Sequence, residues 1–206
     1  MTRAAACAAL GVSRETGDRL AAYLELLGHW QRRINLVAAS TLADPWRRHI
    51  LDSGQLVRLA PPAARVWADL GSGAGLPGLV LSILGAPEMH LVESDQRKAV
   101  FLREAARITA APVTVHATRI ETAALPALDV VTARALAPLD RLLSLAAPHL
   151  GTDVTAIFPK GRQAQRELTE ARAHWHMTAE IVPSLSDPQA SILVLRGVSR
   201  ARSAAV

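Results

Sequence analysis

Apolar positions recur every three or four residues near the start of the chain. Leu20, Tyr23, Leu24, Leu27, Trp30 and Ile34 fall on one side of a helix. A second helix is expected from Asp44-Pro45, a capping residue followed by proline at the first turn, with Trp46, Ile50 and Val57 on its apolar side. The Ala-rich start, MTRAAACAALG, reads as a loose N-terminus, because its apolar stretch is short and runs into Ser13-Arg14-Glu15. Pro61-Pro62 closes this helical region.

From Arg65 the pattern changes to short β-type runs alternating with helical ones. Strands are expected at 66–70, 89–93, 113–117, 128–133, 154–158, 179–182 and 191–196, and helices around 77–84, 95–109, 138–149 and 161–174. Such alternation predicts an α/β fold with a mostly parallel sheet of seven strands, covered on both faces. Only Pro183 to Pro188 joins the last two strands, too short for a parallel crossover, so these should form an antiparallel hairpin. The expected division is an N-terminal helical extension over 1–62, a sheet domain over 63–199 and a disordered tail over 200–206.

Composition narrows the classes without choosing one. The 206 residues suffice for one domain with a sizeable core, and no apolar run has the length of a membrane span. The single cysteine, Cys7, excludes an internal disulfide framework and leaves no zinc cluster, so a cytoplasmic protein with no metal is expected. The net charge of +5 is carried almost wholly by arginine, since only Lys98 and Lys160 are lysine. Arginine in excess suits phosphate binding, and equally a GC-rich coding sequence.

The chemistry gathers at WADLGSGAGLPG, 67–78, directly after the first expected strand. Gly71, Gly73, Gly75 and Gly78 allow a tight turn and close approach of a ligand to bare backbone. No Gly-Lys-Ser/Thr closes the segment, which excludes a Walker loop. Gly73, Gly75 and Gly78 do fit the dinucleotide pattern G-x-G-x-x-G. Asp69 lies just before the glycines, where a carboxylate would repel a pyrophosphate and suit a cation, and Glu93 ends the second strand, where it could accept both hydroxyls of a ribose. One acid for an ammonium and one for a ribose suit S-adenosylmethionine better than NAD. The plainer alternatives are a helix or turn cap for Asp69 and a solvated strand end for Glu93.

Beyond this loop, NLVAAS (35–40), RRHILDS (47–53), DLGSGAGLPG (69–78), ESDQRKAVFLREAAR (93–107) and VVTARALAPL (130–139) follow one another in an order that resembles the RsmG/GidB family, over about residues 20–165. Its members are bacterial methyltransferases acting on N7 of a guanine in 16S ribosomal RNA. The resemblance implies a class I S-adenosylmethionine-dependent methyltransferase fold, Rossmann-like, with an N-terminal helical extension. It places Gly71, Leu76, Ile120, Glu121 and Arg134 at cofactor-binding positions. The departures are IFPKG (157–161), where the family has Ala-Leu-Lys-Gly, and Gly54 after the Asp-Ser pair.

Methyl transfer to guanine N7 needs no proton removed, so the implied site needs alignment and exclusion of water rather than a base or metal. No residue is therefore singled out as an acid or base, and Arg134 and Lys160 are the candidates for positioning the base. His49 and Asp52, three apart, are expected to hydrogen-bond to each other and brace the extension; an acid–base pair is the other reading. In His174-Trp175-His176 the two histidines are read as surface residues rather than metal ligands. Arg47, Arg48, Arg32, Arg33, Arg162 and Arg166 are candidates for RNA phosphate contacts, with a solvated face as the alternative. The partner implied is 16S ribosomal RNA or the small ribosomal subunit, bound by a monomer. Three other readings stay open: an NAD-dependent oxidoreductase on the same glycine loop, a non-catalytic cofactor- or RNA-binding module, and methyl transfer to a small molecule or protein.

Overall fold

Val66–Leu70 (β1), Glu88–Val92 (β2), Val113–His116 (β3), Val130–Thr132 (β4) and Thr155–Lys160 (β5) are the short apolar runs of the sequence, and they pair in parallel in the order β3-β2-β1-β4-β5. Trp175–Pro183 (β6) and Ser191–Arg200 (β7) complete the seven-stranded sheet, with β7 antiparallel to both β5 and β6. The computed structural model describes residues 1–201. Arg200, assigned above to a tail, ends β7, and 202–206 lie outside the described residues.

β6 starts four residues before the expected strand. From Trp175 to Ile181 alternate side chains turn inward, the two-residue period of a strand with one face covered. His174 and Trp175 accordingly sit at this strand's start, both bonded to Asp140 Oδ1 at 3.0 Å.

Two apolar layers cover the sheet. Arg14–Gln31 (α2), Gly78–Ile83 (α4) and Gln96–Thr109 (α5) pack on one face through Leu20, Tyr23, Leu27, Leu79 and Phe101. Leu139–Ala146 (α6) and Ala164–Ala171 (α7) pack on the other through Leu139, Leu142, Leu143 and Leu168. Fully burying a side chain of the leucine or phenylalanine kind contributes roughly 1.5–3 kcal/mol, so these layers are the main source of stability. Among the described residues no helix is long and apolar enough to cross a membrane.

The N-terminus is not loose. Arg3–Leu10 forms a helix (α1), capped by the Thr2 hydroxyl accepting from the Ala5 amide at 3.2 Å and ended by Gly11 at φ +68°. It docks on the extension: Arg58 donates to the Ala9 carbonyl at 2.6 Å, and Leu10 packs over Gly54, where a Cβ would lie 2.8 Å from its Cδ1. Gly54 is therefore a point of close approach. The expected second helix is a composite of a 3-10 turn (Ala39–Ala43), a π-helical turn (Trp46–Leu51), a single α-turn (Asp52–Gly54, α3) and a further 3-10 turn (Gln55–Leu59). Changing the winding within one segment shifts its apolar face. Ile50 is buried as expected, whereas Val57 is turned out and 38% exposed.

Candidate functional site

A cleft of about 1040 Å³ opens at the carboxyl ends of the parallel strands. Its floor is the glycine loop between β1 and α4. Gly71, Gly73 and Gly75 have φ of +69°, +55° and +83°, which side chains rarely adopt. Gly71 and Ser72 donate their amides to the Val92 carbonyl at 2.9 and 3.0 Å, and Tyr23 of α2 donates its buried hydroxyl to the Ala74 carbonyl at 2.7 Å. Burial raises the Tyr23 pKa, so this donor keeps its proton. Gly78 serves packing: a Cβ there would stand 2.5 Å from both Asp69 Cβ and Leu91 Cδ2, fixing how closely α4 meets the sheet.

The two expected acids separate. Asp69 is wholly buried and does not line the cleft, which corrects its expected role as a direct partner of an ammonium. Its Oδ2 accepts from the Gly78 amide at 3.1 Å and its Oδ1 from the Thr132 hydroxyl at 2.9 Å. It is the cap of the loop, and burial raises its pKa to about 6 although these hydrogen bonds favour the charged form. Glu93 does line the cleft, taking the Gly73 amide at 2.8 Å and the Asp95 amide at 2.7 Å on separate oxygens. Each carboxylate oxygen keeps a lone pair for a further donor, so the group fits the hydroxyls of a ribose. Leu76 and Ile120, both nearly buried, and the exposed Glu121 also line the cleft. The Ile120 carbonyl accepts from His149 Nε2 at 2.8 Å, which fixes the turn at the end of β3.

Arg134, just beyond β4, enters the same cleft. Its NH1 donates to the Arg48 carbonyl at 3.1 Å and to Asp52 Oδ2 at 2.9 Å. That uses both hydrogens of one amino group and leaves the Nε–NH2 edge, the fork that matches a carboxylate, for a ligand. Asp52 Oδ1 accepts from Ser186 in the β6–β7 connection at 2.5 Å, Gln55 holds Ser184 and Leu185 of that connection at 3.1 and 2.7 Å, and Arg48 reaches Asp187 at 3.3 Å. Lys160 lines the cleft while donating to the Ala137 carbonyl and to Glu167, each at 2.8 Å. Pro159 before it lies in β5 opposite Ile192 of β7, so the departure there falls within a strand pair.

His49 and Asp52 do not bond to each other as expected, because the π-helical turn winds them apart. His49 Nε2 instead lies 3.0 Å from the Thr41 hydroxyl, which donates its single proton to the Ala38 carbonyl at 2.6 Å. Thr41 must then accept, so Nε2 carries the imidazole proton and the buried Nδ1 has no partner among the described residues. Burial, with Arg134 nearby, lowers the His49 pKa to about 4 and keeps the ring neutral.

Of the arginines singled out for RNA, only Arg48 lines the cleft. Arg47 pairs with Asp44 at 2.8 Å, Arg166 pairs with Glu170 at 2.7 Å, and Arg32, Arg33 and Arg162 are exposed and do not line it. The rim contains three cations that sequence reasoning passed over: Lys98, Arg119 and Arg141. Arg119 stands beside Ile120 in the chain and was within reach of a local reading; Arg141 is placed only by the approach of α6. Among the described residues no group of three or more His, Cys, Asp and Glu side chains is placed to hold a metal.

The fold has close counterparts of low identity. Cofactor-bound Rv0187 from MTB superimposes with a TM-score of 0.62 at 16% identity, over 86% of this chain and 89% of that one. A TehB-like SAM-dependent methyltransferase from Corynebacterium glutamicum gives 0.55 at 18%, over 84% and 98%. In sequence, ribosomal RNA small subunit methyltransferase G of Paramagnetospirillum magneticum is 58% identical over 193 residues, 94% of each chain. The model of the GidB family, rRNA small subunit methyltransferase G, matches residues 17–195, from the helix that grips the glycine loop into β7. The chain belongs to that family.

Proposed function

We propose that this protein methylates ribosomal RNA of the small subunit, taking the methyl group from S-adenosylmethionine and placing it on N7 of a guanine in 16S RNA. The observation that carries the reading is the convergence, in one cleft, of a ribose acceptor at Glu93 and an uncommitted guanidinium fork at Arg134, on either side of the glycine loop. A carboxylate at one end and a ribose at the other suit S-adenosylmethionine, which supplies a methyl group activated on a sulfonium. Membership of a methyltransferase family leaves the NAD-dependent oxidoreductase and the non-catalytic module without support.

The protein's task in such a reaction is alignment. Guanine N7 has a lone pair at neutral pH, and no proton leaves before attack, so no side chain has to act as a base. Gly71, Gly73 and Leu76 offer the backbone floor, Glu93 the ribose acceptor, Ile120 and Glu121 the adenine end, and Arg134 the carboxylate clamp. Asp69 acts beneath them by holding the loop. Lys160 has one N–H beyond its two protein bonds and, with Arg134, is assigned to base positioning. Arg48 with Arg47, Arg32, Arg33 and Arg162 are the assigned phosphate contacts, which would weaken steeply as salt rises. The protein works as a cytoplasmic monomer without a metal.

Tritiated methyl transfer to small ribosomal subunits or 16S RNA lacking this modification tests the reading. Reduction and aniline treatment should then cleave the RNA at one position, and Glu93→Ala and Arg134→Ala should abolish the cleavage. Cofactor binding without incorporation into RNA would sink it.

A further inference from the structure

The cleft has a side that the cofactor assignments leave unused. Leu36, Val37, Ala38, Thr41 and His49 form a wall contributed entirely by the extension. Its backbone is held by one side chain: Gln31 Oε1 accepts from the Leu36 and Val37 amides, both at 2.9 Å, and its Nε2 donates to the Val37 carbonyl at 2.9 Å. The Ala38–Thr41 turn is held by the Thr41 hydroxyl and by His49 behind it. The wall is uncharged, since His49 is neutral and spends its only N–H on Thr41.

Position decides what the wall faces. Glu93, Ile120 and Glu121 follow β2 and β3, so the nucleoside end of a ligand belongs on that side of the glycine loop. Arg134 follows β4, across the point where the strand order reverses. The wall adjoins Arg134 through the Arg48 carbonyl and Asp52, which puts it beside the reactive end of the cleft.

We infer that this wall is the seat of the methyl-accepting base: a preformed, neutral, largely apolar face, adjoining Arg134, against which an unstacked purine of the RNA lies. Enzymes that act on a base must take it out of its stack, and a rigid apolar surface repays part of the lost stacking. The inference rests on the methyl-transfer reading above and adds where the acceptor binds.

Ala38→Trp is the test, because Ala38 is exposed and lines the cleft, so a large side chain there fills the seat without entering the core. Ala39→Trp, exposed one residue on and outside the cleft, is the control. With S-adenosylmethionine affinity measured by calorimetry, Ala38→Trp should bind the cofactor within about twofold of the unmodified protein yet lose roughly 100-fold in kcat/KM on RNA, as misplacement of a reacting group does. Ala39→Trp should match the unmodified protein in both, and Val37→Ala should raise KM for RNA severalfold with kcat little changed. Undiminished methyl transfer by Ala38→Trp, or a parallel loss of cofactor affinity, overturns the assignment. An unmodified protein that binds cofactor but does not methylate RNA overturns the reading beneath it instead.

Discussion

On one side of the cleft the backbone does the shaping. Gly71, Gly73 and Gly75 adopt positive φ, Gly78 lets a helix meet a strand, and two acids, Asp69 and Glu93, take amides of the turn. On the other side, from Leu36 to Asp52, few residues have unusual backbone freedom, and side chains supply the shape. Gln31 holds Leu36 and Val37, His49 backs Thr41, and Asp52 joins Arg134 to Ser186. The loop depends on atoms that are missing, and the wall on side chains that are present, from Gln31 close by in the chain to Ser186 far along it. A loop of the first kind is strained when a Cβ is added; a wall of the second kind loosens when a holding side chain is lost.

The largest effect should follow from breaking the loop at its tightest point. Gly78→Val would drive a Cβ against Asp69 and Leu91, at a cost of roughly 3 kcal/mol or more, seen as a large fall in the urea midpoint. Gly73→Ala would make only an ordinary contact, 3.8 Å from the Gly71 carbonyl oxygen, so the strain is that of φ alone and about 1–2 kcal/mol is expected. Equal losses at the two positions would refute the steric account. Next comes Asp52→Ala, which strips a partner from both Arg134 and Ser186 and should cost about 1–3 kcal/mol while weakening cofactor binding. Asp52→Asn, which keeps the shape, should recover most of the stability. Gln31→Ala should cost about 1–2 kcal/mol and act locally, with faster hydrogen exchange at the Leu36 and Val37 amides and little change at the glycine loop.

The smallest effect sets the two sides against each other in pH. His49 takes up its proton near pH 4 when folded and near 6.5 when unfolded, so the unfolded chain holds more protons between these values and stability rises with pH across that window. Asp69 does the reverse: its pKa rises from 3.8 to about 6 on folding, so its contribution is full below 3.8 and is lost as pH rises through 6. The two largely offset each other in the unmodified protein. Asp69→Asn, whose amide can serve both Gly78 and Thr132, should uncover the slope set by His49 together with His116, which burial also pushes below its ordinary value, with urea midpoints increasing from pH 4.5 to 6.5. A flat profile in that variant would show that neither histidine is held neutral.

The same contrast explains what was legible in the sequence. Glycines spaced after an apolar run announce a loop because the constraint is local, and the strand-helix rhythm after Arg65 gave the sheet and its hairpin. Asp69 was legible as an acid beside the loop, but its pleat position, which turns it under the loop rather than toward the cleft, was not. The wall left no comparable sign. Its 3-10, π and α turns share no single period, which is why Val57 and the His49–Asp52 pair were misplaced. Arg134 and Asp52 are 82 residues apart, and Asp52 and Ser186 are 134 apart, separations at which spacing has no bearing on contact.

The bond between Asp52 and Ser186 also sets an order of events. A growing chain has made the extension, the glycine loop and Arg134 long before the β6–β7 connection is synthesised. Asp52 cannot hold both its partners until residue 186 has emerged, so this side of the cleft waits on a segment made well after the rest of it. A product that stops short of the terminal hairpin would carry every residue assigned to the cofactor and lack the latch that steadies them. The cleft is therefore finished only once the β6–β7 connection has joined it.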